Sequence, residues 1–119
     1  MKILDQEIEF NFNDADDMER LENAIDETTL KLNNIKTDGK RTSEVIRESC
    51  KVVFDCFNIA FGEETDKKVF GEKTNFNICI KAFEDLCNAR DEQGKELEEQ
   101  VKSIESRYSP NRVTRRDRK

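Results

Sequence analysis

The chain has 119 residues, room for one domain of ordinary size. It is 40% charged and only 34% hydrophobic, with a mean hydropathy of −0.90, so any core must be thin. The formal charge is −6, there is no histidine, and no apolar run exceeds three residues, far short of the ~18 needed to span a membrane.

That charge is unevenly placed. Residues 110–119, PNRVTRRDRK, hold five bases and one acid, a net of +4. The 109 residues before them therefore carry −10. Blocks of this kind mark interaction tails. The chain reads as an acidic helical domain over 1–109, opening with a hairpin within 1–12, followed by a basic C-terminal tail at 110–119. The opening MKILDQEIEF carries acids where a signal peptide needs an apolar stretch, so a cytoplasmic location is expected.

Residues 8–12, Ile-Glu-Phe-Asn-Phe, alternate apolar and polar side chains, the pattern of a strand with one buried face. With Ile3-Leu4 before them, a short hairpin is expected, stable only against a helix or another chain. Asn13 or Asp14 then offers an N-cap, backed by Asp16 and Asp17. Met18, Leu21, Ile25, Leu32 and Ile35 follow at helical spacing, until Thr37-Asp38-Gly39-Lys40 breaks the pattern with Gly39 as terminator.

Thr42 or Ser43 begins the next helix. In residues 52–61, VVFDCFNIAF, eight of ten are apolar, and Lys51, Asp55 and Asn58 form a thin polar stripe. A helix apolar nearly all round is the buried central one, and Gly62 ends it. Thr65 to Phe70 makes one or two turns, with Thr65 as cap, stopped by Gly71. Thr74 or Asn75 caps the last helix, whose wide apolar face is Phe76, Cys79, Ile80, Phe83, Leu86 and Cys87. Beyond Arg90 the stripe thins to Leu97, Val101 and Ile104, with Gly94 a weak point and Pro110 the stop. Such a stretch is expected to protrude or to pack on another subunit. The fold class is mostly α: a small helical domain of about three main helices plus one short one, with an N-terminal β-strand or hairpin.

Little here suits catalysis. Without histidine, neither a Ser-His-Asp nor a Cys-His arrangement exists within the chain. The four glycines are dispersed and match no phosphate-binding fingerprint. Cys50, Cys56, Cys79 and Cys87 follow no CxxC spacing and sit among apolar neighbours on predicted helices, as reduced core thiols do. The acidic clusters at 14–19 and 96–99 read as a helix start and a solvated helix face. No enzyme, cofactor or metal is expected. The tail keeps three readings open. Its bases could neutralise phosphates of a nucleic acid, although the −10 body opposes this and no aromatic lies among them. They could instead dock on acidic helices of another copy or of a partner, since Arg112, Arg115, Arg116 and Lys119 share one helical face. Or the terminus is simply solvated. Arg112, Arg115, Arg116 and Arg118, with Leu97, Val101 and Ile104, are the candidate partner-binding residues.

Residues 46–55, IRESCKVVFD, continuing through FGEETDKKVFGEKTNFNICIKAFEDL, resemble a family of small prophage proteins of Gram-positive bacteria. So does the opening, where EIEFNF runs into NDADDMER. The ending NRVTRRDRK is similar to the Asn-Arg-x-x-Arg-Arg tail of phage tail assembly chaperones, matching at Asn111, Arg112, Arg115 and Arg116. It carries Val113 and Asp117 where alanine is usual. The resemblance implies a small cytosolic protein of the bacterial host that coats the tape measure protein before the tail tube polymerises, in many systems also made in a frameshifted, extended form. A structural subunit of the tail and a nucleic-acid-binding regulator are the alternatives.

Overall fold

The computed structural model describes residues 2–4 and 6–108. The chain divides into two compact units, residues 1–89 and 90–119. Two very short strands, β1 (Lys2–Ile3) and β2 (Gln6–Glu7), precede four helices: α1 (Ala15–Asn33), α2 (Thr42–Phe61), α3 (Thr65–Phe70) and α4 (Phe76–Tyr108). The fold is thus mostly α with an N-terminal antiparallel strand pair, as the sequence implies.

The pair is smaller than the alternation suggests. Lys2 pairs with Glu7 and Ile3 with Gln6, while residues 8–12 join no ladder. The alternation nonetheless holds: Ile8 is buried, Phe10 and Phe12 are half-buried, and Glu9 and Asn11 are exposed. Ring contacts do the work that strand pairing was expected to do. Phe12 packs on Phe10 (4.9 Å between centroids), Phe10 on Phe61 (5.1 Å) and Phe61 on Phe57 (5.9 Å). Phe57 continues to Phe70 (5.3 Å) and Phe70 to Phe54 (4.9 Å). Six rings in series tie the N-terminal segment, α2 and α3 together, mostly in the edge-on or tilted geometries that aromatic quadrupoles favour.

Asp14 caps α1, its carboxylate accepting from the Asp17 N–H at 2.9 Å. Leu21, Ala24, Ile25 and Thr28 form its buried stripe. The helix ends at Asn33, with Asn34 as C-cap; Gly39, at φ +74°, belongs to a turn further on rather than to the helix end. Asn34 can end the helix itself because its N–H still reaches the Leu30 and Lys31 carbonyls.

α2 is the centre of the first unit. Ser49, Cys50, Val53, Cys56, Phe57 and Ala60 are buried along it. Ser49 returns its hydroxyl proton to the Val45 carbonyl (2.8 Å), so its burial leaves no unpaired donor. The polar stripe is used: Lys51 pairs with Asp55 (3.6 Å), and the Asn58 amide oxygen accepts from the Asp66 N–H (3.0 Å), capping the start of α3. Glu64, at φ +70°, is the cap residue of α3, and Thr65 instead donates its hydroxyl to the Gly62 carbonyl (2.7 Å). Asn75 caps α4 through the Ile78 N–H (3.2 Å), and Cys79, Ala82 and Leu86 complete the core. No helix among the described residues is long and apolar enough to cross a membrane.

Candidate partner-binding face

Residues 90–108 of α4 lie in the second unit. Leu97, Val101 and Ile104 follow one another at i, i+4 and i+7, on one side of the helix. They are 51%, 47% and 57% exposed, among the most exposed large apolar side chains described. Aliphatic side chains left in water at helical spacing have the form of a helix-binding seam.

The seam is flanked unequally. A 3.6-residue period places Asp91, Glu98 and Glu105 along one edge, each seven residues from the next. Gln93, Gln100 and Arg107 line the other edge. Glu98 meets the Lys102 ammonium at 2.9 Å on the open surface, where such a pair holds weakly, and Asp91 meets the more sheltered Arg90 at 3.1 Å. Residues 90–108 carry six acids and four bases, so the seam sits in a negative field. Arg112, Arg115, Arg116 and Arg118 lie outside the described residues.

The first unit offers further openings that periodicity does not disclose. Phe76 stands on the apolar stripe of α4 in sequence, yet is 39% exposed, because it is the first residue of the helix. With Ile46 and the polar residues Thr74, Asn75 and Asn77 it borders an open groove of about 370 Å³. Ile59, within the nearly all-apolar run of α2, is 46% exposed. A second cleft, of about 470 Å³, lies between Phe10, Phe61 and Arg20. Arg20 is committed within the fold: its Nε donates to the Ala60 carbonyl (3.2 Å) and its Nη2 to Asp17 (2.8 Å). A cation from α1 thus neutralises the C-terminal end of α2, whose own last turn has none.

The thiols are placed as core groups. Cys50, Cys56 and Cys79 are buried and Cys87 is half-buried, all four reduced. Burial pushes the Cys56 thiol up to about 11, moderated by the neighbouring Thr28 hydroxyl. Burial, reinforced by a hydrogen bond with Cys50, pushes Cys79 up to about 12. Thiols held neutral in this way are poor nucleophiles at neutral pH. Among the described residues, no group of three or more cysteines and carboxylates is arranged to hold a metal ion.

No curated protein and no solved structure matches the chain. Residues 4–119, a span that takes in the α4 seam and the basic segment 110–119, match the family of unknown function DUF6673, and the chain belongs to that family.

Proposed function

We propose that this protein is a non-enzymatic phage tail assembly chaperone, which holds the tape measure protein in the bacterial cytoplasm until the tail tube forms around it. The observation that carries the reading is the exposed seam of Leu97, Val101 and Ile104 on an acidic helical segment. A tape measure is a very long helix whose apolar stripes must be kept from aggregating. Three half-exposed aliphatic side chains offer far less contact than the roughly 800 Å² per partner of a stable interface. One copy therefore holds weakly, and many copies along one long helix hold well while their negative charge keeps the coated assembly soluble. The resemblance of the central block and of the Asn111 to Arg116 tail to prophage tail proteins supports the same reading.

Co-expression with the tape measure protein of the same phage tests it. The tape measure should become soluble and co-purify with several copies of this chain, and the chain should be scarce in finished particles by mass spectrometry. Unchanged insolubility without co-purification contradicts the reading. Stoichiometric presence in the particle would identify a structural subunit instead.

A further inference from the structure

The two edges of the α4 seam differ in a way that selects a partner. Asp91, Glu98 and Glu105 repeat at seven residues, the spacing at which a flanking position recurs along a two-helix contact. The opposite edge, Gln93 and Gln100, is neutral until Arg107. Both carboxylates whose ion pairs are described are at the surface, with side chains 60% exposed for Asp91 and 67% for Glu98. Their partners Arg90 and Lys102 belong to the same helix. Lys102 stands in open water, so a cation from another helix can replace it at Glu98 at little cost, and one can join Arg90 at the exposed Asp91 carboxylate.

A second copy of this chain is a poor occupant. An antiparallel pair brings acidic edge to acidic edge, with Glu98 facing Glu105 of the other copy, and like charges there are destabilising. A parallel pair sets Glu98 against Gln93 and Glu105 against Gln100, which supplies no opposite charge. It also joins two segments 110–119 of +4 each at the same end. The small apolar area cannot offset either arrangement.

We infer that the occupant of this face is an amphipathic helix of another protein, with aliphatic residues at 3/4 spacing and a row of Lys or Arg, seven residues apart, along the edge that meets Asp91, Glu98 and Glu105. This rests on the reading of the α4 seam as the partner-binding face and adds the chemistry by which it chooses. The aliphatic contact supplies the adhesion; the carboxylate row supplies orientation, encounter rate and discrimination.

The test uses the full chain and four synthetic three-heptad helical peptides. Three share one Ile/Leu seam with edges of Lys, Gln or Glu, and the fourth has the Lys peptide's composition with its seam scrambled. Binding is measured by fluorescence anisotropy at low and at physiological salt. The Lys-edged peptide should bind about ten-fold more tightly than the Gln-edged one at low salt, the advantage shrinking as salt rises, and the scrambled peptide should bind least. The double variant Glu98→Lys/Glu105→Lys should reverse the order so that the Glu-edged peptide binds best, and Leu97→Asp should weaken every seam-bearing peptide. Equal binding of the three seam peptides, equal binding of the scrambled one, or an unchanged order in the double variant overturns the inference. So does a stable dimer in sedimentation that Leu97→Asp dissolves. A tape measure that fails to co-purify while the peptide order holds contradicts the tail-assembly reading and leaves this one standing.

Discussion

The thiol of Cys79 on α4 lies beside that of Cys50 on α2 inside the core, and neither side chain is reached by solvent. Burial, reinforced by this neighbour, keeps the Cys79 thiol neutral well into the alkaline range. Cys56, against Thr28 of α1, is held neutral by its burial, which outweighs the opposing influence of the Thr28 hydroxyl.

Alkaline pH should therefore unfold this protein. An unfolded thiol loses its proton near pH ~8.5, whereas Cys56 and Cys79 keep theirs to about 11 and about 12 when folded. Between those values the unfolded state binds fewer protons, so stability is full below the unfolded pKa and falls as pH rises, by about 1.4 kcal/mol per pH unit for each such thiol. Urea midpoints at pH 7, 8, 9 and 10 should decline beyond pH 8, and less steeply in Cys56→Ala. Equal slopes in the two proteins would contradict this.

Arg20 joins helices 40 residues apart by donating to the Ala60 carbonyl at the end of α2. Arg20→Ala should cost about 1 kcal/mol, from the lost charge-assisted hydrogen bond and helix-end interaction. Arg20→Lys should recover only part of that, since an ammonium cannot reproduce the guanidinium fork that also reaches Asp17. Chemical denaturation of both variants checks the order.

Phe57 is fully buried and stands in the middle of the ring series, between Phe61 and Phe70. Phe57→Ala should cost about 3–5 kcal/mol through lost burial and the cavity left behind. In a chain this poor in apolar residues, that is most of the stability. Thermal melts should show a broad, early transition, and Phe57→Leu should retain more of the fold.

Gly94 lies within α4, and a Cβ added there would meet nothing within 4 Å. Gly94→Ala should therefore stabilise the helix by about 0.5–1 kcal/mol. Helical signal at elevated temperature, read by circular dichroism, should rise, and an unchanged melt would contradict this.

Glycine punctuation made much of this fold legible: Gly62 and Gly71 end α2 and α3 where the periodicity stops. Asp14 and Asn75 cap their helices as their positions suggest. Alternation over residues 8–12 reports which side is buried, not what pairs with it, so it does not locate the strand. Those side chains turn inward onto rings, while the ladder forms between residues 2–3 and 6–7. Asn58 and Arg20 could not be assigned from sequence, since each serves a backbone group brought near only by folding. At the candidate face, the thinning of the apolar stripe beyond Arg90 signals the exposure of Leu97, Val101 and Ile104, because an isolated aliphatic row with charges on most other positions has nothing in its own helix to cover it.

The most direct test of the central claim compares tape measure co-purification for the native chain and for Leu97→Asp/Ile104→Asp. Both side chains are more than half exposed, so the variant should melt like the native protein. The account predicts at least about a ten-fold loss of co-purified tape measure, since burying these aliphatic groups is the adhesion lost. Equal recovery with both proteins, or no recovery with the native chain, would contradict it.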